Sequence, residues 1–223
     1  MPRIARVLVP GVAHHITQRG NNRQIVFWDE EDRHQYLEWL KKYNAKWGID
    51  VLAYCLMDNH IHLLCIPQKE NSLSNALRDT HMRYSQYANR KYKQSGHLWQ
   101  GRFFSCPLDD VHMLASARYI ERNPVRAKLV TLPEQWQWSS AKAHVNAIKN
   151  ELLSDDKILL DSVESWKVFI TEPDDPEIVE NLRKNTLTGR PLGDKDFVSR
   201  IETFLNRILL PKKIGRPQIN ERD

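Results

Sequence analysis

From Val12 to Arg19 the chain reads Val-Ala-His-His-Ile-Thr-Gln-Arg and is closed by Gly20-Asn21-Asn22, which predicts a first strand. The apolar period then lengthens. Tyr36, Leu37, Leu40, Tyr43 and Trp47 recur at helical spacing behind a candidate N-cap, Asp29, with Glu30, Glu31 and Asp32 in the first turn and Gly48 past the end. Two apolar runs, Val51 to Met57 and His60 to Ile66, flank Asp58-Asn59, which has hairpin-turn chemistry, and Pro67 stops the second. A seam of Leu73, Leu77, Thr80, Tyr84 and Tyr87 predicts a long helix over Ser72 to Tyr92, followed by the loop Gln94-Ser95-Gly96. Phe103 to Pro107 is a candidate short strand, after which Asp109 or Asp110 would cap a helix running to Asn123 and ended by Pro124. This order of elements about an antiparallel hairpin predicts an α+β fold: a ferredoxin-like antiparallel sheet with a layer of helices on one face.

Beyond about residue 140 the pattern weakens, and residues 141–180 are expected to be an acidic linker or surface segment. Between Asn150 and Glu180 stand ten acids and two lysines, so a net charge of +5 for the chain becomes +13 outside that stretch. Residues 181–223 hold ten basic and five acidic side chains and predict a mainly helical, basic C-terminal extension. Asp194 would cap its helix, with apolar positions Phe197, Ile201, Phe204, Leu205 and Ile208. The uneven charge suggests a polyanionic partner. No apolar run approaches the roughly 20 residues that cross a bilayer, and Met1 to Arg6 opens no secretion signal, so the expected compartment is the cytoplasm, with association to the nucleoid. Cys55, Cys65 and Cys106 form no CxxC pair and no disulfide framework, and are expected to be buried thiols.

His60 and His62 are two apart on a predicted strand, so both imidazoles project from one face and can present two neutral nitrogens to one metal ion; hydrogen-bonded histidines at a sheet surface would look the same. His14-His15 is a weaker candidate pair, because adjacent strand residues face opposite ways. Tyr119 and Asn123 are four apart on the helix expected before Pro124, which would stack them on one face. Between Met82 and Phe104 the basic residues Arg83, Arg90, Lys91, Lys93 and Arg102 interleave with aromatics that include Trp99, and no acid intervenes. Cations beside aromatic rings suit single-stranded nucleic acid, although a solvated helix face above a core has the same composition.

Four separated stretches resemble one family: Met57-Asp58-Asn59-His60-Ile61-His62-Leu63-Leu64, Gly96-His97-Leu98-Trp99-Gln100-Gly101-Arg102-Phe103, Arg118-Tyr119-Ile120-Glu121-Arg122-Asn123-Pro124-Val125-Arg126-Ala127, and Trp138-Ser139-Ser140. The chain resembles the REP-associated tyrosine transposases, bacterial relatives of the insertion-sequence transposases in the superfamily of HUH endonucleases, over about Val12 to Ser140. The resemblance implies a catalytic domain over residues 1–140 that cuts and rejoins single-stranded DNA beside REP hairpins. Tyr119 falls on the family's nucleophile, His60 and His62 on its metal-binding histidines, and Asn123 on its third, polar ligand. Asp58 stands where relatives often carry proline, which leaves the geometry of the tight turn open.

The implied reaction joins the Tyr119 oxygen to phosphorus as a 5′-phosphotyrosine and frees a 3′-hydroxyl, so rejoining needs no nucleotide cofactor. Two imidazoles and an amide suit Mg2+ or Mn2+. The expected partner is single-stranded DNA with REP-type hairpins, with no membrane, bound by a monomer or homodimer. Arg126, and in the tail Lys212, Lys213 and Arg216, join the candidate DNA contacts, Gly215-Arg216-Pro217 resembling a minor-groove hook. Two alternatives stand beside this reading: a non-catalytic single-stranded nucleic-acid-binding module on the same fold, and a metal-dependent hydrolase that uses water.

Overall fold

In a computed structural model describing residues 6–154 and 158–209, β1 (Ala13–Arg19), β2 (Ile49–Met57), β3 (His60–Pro67) and β4 (Phe104–Leu108) form one antiparallel sheet in the order β2-β3-β1-β4. The helices are α1 (Glu30–Trp47), α2 (Ser72–Lys91), α3 (Asp110–Glu121), α4 (Asn123–Arg126), α5 (Ala141–Asn146), α6 (Trp166–Thr171), α7 (Pro176–Thr188) and α8 (Lys195–Leu205). No helix among the described residues is long and apolar enough to cross a membrane.

Local chemistry sets the boundaries of the first helix. The Asp29 carboxylate accepts from the Asp32 N–H, and Gly48 closes α1 at φ 68°, a left-handed conformation that costs glycine nothing. At the end of β1, a Cβ on Gly20 would lie 2.3 Å from the Gln24 carbonyl oxygen, so only glycine lets the chain fold back there. The Asp58-Asn59 turn forms without proline. Asp58 pairs instead with Arg33 of α1, its carbonyl accepts from the N–H groups of Val26 and Phe27, and Asn59 donates to the Arg23 carbonyl.

The register assigns the two faces of the sheet. Ile16, Tyr54, Leu56, Ile61, Leu63 and Cys65 pack against α1 and α2 through Tyr36, Leu40, Leu73, Leu77 and Tyr84. This is the expected ferredoxin-like layer. The expectation of helices on one face alone needs correction: α3, α6 and α7 cover the other face, where Ala13, Cys55, Met57, Leu64, Cys106 and Leu108 pack with Met113, Ile120, Trp166 and Leu182. Both faces of β2 and β3 are apolar, so an uncovered second face would leave that surface in water. The three cysteines are free and buried, Cys55 and Cys106 on this face and Cys65 on the face under α1 and α2.

Both sheet edges are covered. Trp138-Ser139-Ser140 runs beside β2, with the Leu56 N–H donating to the Trp138 carbonyl and the Ser140 N–H to that of Tyr54. Leu192 does the same for β4, donating to the Pro107 carbonyl. The segment from residue 141 to 180 carries α5, α6 and the start of α7, and buries Trp166 and Ile170 under α3. In α8, capped by the Asp194 carboxylate, Phe197 and Ile201 are buried against Val7 and Val9, whereas Phe204 and, past the end of the helix, Ile208 are exposed.

His14 points to the α1–α2 side and is inaccessible to solvent. Its Nδ1–H donates to the Val12 carbonyl and its Nε2 accepts from the Val9 N–H, a pairing that only the neutral ring completes. Burial lowers its pKa from 6.5 to about 4. Below pH 6.5 the unfolded chain takes up a proton at His14 that the folded chain refuses, so His14 alone lowers stability by about 1.4 kcal/mol per pH unit. Urea unfolding at pH 7 and pH 5 is expected to show this loss, reduced by roughly 2 kcal/mol in His14→Asn; equal pH dependence in both proteins would contradict it.

Candidate active site

The histidines lie where β1 and β3 pair. His62 stands opposite Thr17 and Cys55, His60 opposite Arg19 and Met57, and His15, two residues before Thr17, projects on the same face. His15 and His62 stack with ring centroids 5.2 Å apart and planes 9° apart, and His60 meets His62 edge-on at 5.0 Å. His60 Nδ1 lies 2.7 Å from Asn59 Oδ1; that oxygen can only accept, so His60 carries its proton on Nδ1. A second chain runs from His62 Nδ1 to His15 Nε2 at 2.9 Å, and from His15 Nδ1 to Thr186 Oγ1 at 2.8 Å. In the tautomer in which His62 donates to His15 and His15 to Thr186, the lone pair on Nε2 is bare in both His60 and His62.

Burial keeps these rings neutral. It lowers the pKa of His60 to about 4, helped by the Arg19 charge, and that of His15 to about 3, helped by Arg126. His62 falls well below 6.5, first through burial and then through the neighbouring histidines and arginines. Neutral imidazoles with the second nitrogen fixed by a hydrogen bond are the form in which histidine binds a metal. The pair therefore fits a divalent cation.

Tyr119, on the last turn of α3, packs edge-on against both rings, 5.6 Å from His62 and 5.8 Å from His15. Two guanidinium groups flank it. That of Arg126 lies 4.0 Å over the phenol ring and donates to the Tyr119 carbonyl at 2.6 Å, while Arg183 Nε, from α7, donates to the phenolic oxygen at 3.3 Å. His60, His62 and Tyr119 are thus brought together on the α3 face of the sheet. Asn123 follows, but not on the same helix: α3 ends at Glu121, and α4 starts at Asn123 with Pro124 in its first turn. Proline has no N–H to continue the ladder and suits a helix start, which corrects the expected single helix. The Asn123 amide lies 3.5 Å from the Tyr119 carbonyl oxygen.

The expected DNA contacts divide. Arg83, Arg90, Lys93 and Arg102 are exposed, and Arg83 and Arg90 border a depression of about 180 Å3 with Trp39 and Tyr87 on the α2 side of the sheet, opposite Tyr119. Trp99 is 7% exposed and packs with His81, Phe27 and Tyr84, so it is a core residue and no platform for a base. Lys91 binds Asp29, Glu31 and Asp32 at 2.8–3.0 Å, which commits its charge to the protein. Arg126 pairs with Asp174 at 2.8 Å, where Arg122 and Arg118 also converge, at 3.3 and 3.9 Å. Lys212, Lys213 and Arg216 lie outside the described residues.

Sequence reasoning passed over His15, Arg183 and Thr186. Strand alternation alone gave no reason to pair His15 with His62; that needs the β1–β3 register. Arg183 and Thr186 did carry a signal, since they are three apart in a segment that starts with Asp175-Pro176 and stops at Gly189, the cap chemistry of a helix.

Comparison with known proteins agrees with this architecture. The family model described as "Transposase IS200 like" matches residues 9–123, more than half of the chain and a span holding His15, His60, His62, Tyr119 and Asn123. A Haemophilus influenzae protein carrying the name REP-associated tyrosine transposase is 30% identical over 112 residues, which cover 44% of this chain and 62% of that protein's length. The solved structure of a REP-associated tyrosine transposase bound to a REP hairpin superposes with a TM-score of 0.58 at 17% identity, over 70% of this chain and 93% of that one, and shares its fold. The chain belongs to the IS200-like transposase family.

Proposed function

We propose that this transposase cleaves and rejoins single-stranded DNA beside hairpins, with Tyr119 as the nucleophile and His60 and His62 as metal ligands. The observation that supports this most directly is the packing of Tyr119 edge-on against His62, with the Nε2 of both histidines left for a cation. Asn123 is proposed as a third ligand, since its amide lies within one turn of Tyr119. When bound, Mg2+ or Mn2+ would withdraw charge from the scissile phosphate. The Tyr119 oxygen loses its proton and forms the new bond to phosphorus; the bond from phosphorus to the 3′-oxygen breaks, and that oxygen is protonated. The products are a 5′-phosphotyrosine and a 3′-hydroxyl, and attack by another 3′-hydroxyl on the phosphotyrosine reverses the step. The hairpin bound in the structural relative motivates the choice of substrate. Arg83, Arg90, Lys93 and Arg102 are the proposed phosphate contacts.

End-labelled hairpin oligonucleotides from the flanks of the gene, incubated with the protein and read on a denaturing gel, test the reading. With magnesium or manganese a slow-migrating covalent band is expected, and chelation removes it. His62→Ala is expected to slow its appearance by about 1,000-fold, since a metal at a reacting phosphate contributes several kcal/mol. Nicking without a covalent band would show a water-using hydrolase, and binding without either would show a non-catalytic module.

A further inference from the structure

We infer that Arg183 is a catalytic residue of this strand-transfer reaction, holding positive charge on the Tyr119 oxygen as that oxygen gains and gives up its negative charge. The inference rests on the proposed role of Tyr119. It concerns α7, which lies outside residues 9–123, the part matched by the family model.

In the proposed reaction the phenolic oxygen gives up its proton and bonds phosphorus, so a cationic donor held at that oxygen stands where charge changes. The histidines are poor candidates, because His15 spends both ring nitrogens on His62 and Thr186, and Nε2 of His60 and of His62 is the proposed metal position. Arg126 is close, yet its guanidinium lies over the ring, bonds the backbone carbonyl and pairs with Asp174. Arg183 differs on each point. Its Nε donates to the phenolic oxygen itself, and among the described residues it forms no ion pair, so its charge is uncompensated. The residue is otherwise exposed, which leaves its remaining donors open to a phosphate.

The helix that carries it is held firmly. Leu182 and Thr186, on either side of Arg183, are buried; Asp175 caps the start of α7, and Gly189 ends it in a left-handed conformation. Thr186 reaches His15 from the same helix. One helix thus touches both the proposed nucleophile, through Arg183, and the histidine pair, through Thr186. A donor aimed at an oxygen where charge develops is worth about 100- to 1,000-fold in rate when removed.

Single-turnover formation of the covalent adduct should be followed for the wild type, Arg183→Gln, Arg183→Lys and Arg183→Ala, beside hairpin affinity by fluorescence anisotropy and thermal melting. In Arg183→Gln the adduct is expected about 100-fold more slowly, with affinity within about threefold and an unchanged melting temperature. Arg183→Lys recovers part of the rate, and methylguanidinium added to Arg183→Ala accelerates adduct formation, which a merely structural role would not produce. A wild-type rate in Arg183→Gln would overturn the inference, as would a rate that falls only in step with affinity and stability. A wild type that forms no adduct would overturn the reading of Tyr119 itself, and the two failures are distinct.

Discussion

Tyr119→Phe is expected to abolish the covalent protein–DNA adduct, with a rate loss of at least about 10,000-fold, because phenylalanine has no oxygen to bond to phosphorus. The variant removes one oxygen from a ring that is 5% exposed. The edge-on contacts with His15 and His62 and the Arg126 guanidinium over the ring all involve atoms that phenylalanine keeps. What is lost is the hydrogen bond from Arg183 at 3.3 Å, worth no more than about 1 kcal/mol at this partly exposed site. Hairpin affinity and melting temperature should therefore stay near those of the wild type while the adduct disappears. An undiminished adduct in Tyr119→Phe would assign the chemistry to another residue.

The largest stability effect is expected two residues further on. Glu121 is fully buried, and its carboxylate collects three donors: Ser140 Oγ at 2.5 Å and His144 Nδ1 at 2.6 Å on one oxygen, and Trp166 Nε1 at 2.8 Å on the other. It ties α3 to the Trp138-Ser139-Ser140 segment that lines β2, to α5 and to α6. Glu121→Ala leaves those donors without an acceptor and opens a cavity, which costs about 3–5 kcal/mol. In a chain of this size that lowers the melting temperature on the order of 10 °C. Glu121→Gln keeps the volume and one acceptor oxygen, and should fall between the two. A thermal melt of Glu121→Ala within about 2 °C of the wild type would show that the cluster contributes little.

Features governed by neighbouring residues were legible in the sequence, and features governed by register were not. Asp29 and Gly48 fix the ends of α1 through bonds to residues three and four positions away, and the Asp58-Asn59 turn sets the β2–β3 hairpin, so these elements follow from local spacing. The same locality placed His60 and His62 on one face of a strand. The resemblance, carried by motifs spread from Met57 to Ser140, gave Tyr119 and Asn123 their expected roles where spacing alone only stacked them on one helical face. His15 became part of the site only through the pairing of β1 with β3, a contact 47 residues apart along the chain. Arg183 and Thr186 arrive from 64 and 171 residues away, on a helix whose amphipathic pattern is short and whose neighbourhood is dominated by acids.

Composition misled in the basic, aromatic stretch for a related reason. Lys91 and Trp99 have the residue types of a single-strand groove, but Lys91 is neutralised by three carboxylates at the start of α1, and Trp99 fills the core beneath α2. Arg126 is likewise engaged by Asp174, a residue of the acidic segment. Whether a cation is available to DNA depends on its neighbours in space, which composition does not report.

The most direct measurement is the identity of the residue that carries the DNA. Adduct formed by the wild-type protein with hairpin oligonucleotide and manganese would be digested with nuclease and trypsin, and the nucleotide-bearing peptide sequenced by tandem mass spectrometry. The account predicts a nucleotide 5′-phosphate on the phenolic oxygen of Tyr119. A nucleotide on any other side chain, or cleavage with no modified peptide, would contradict it.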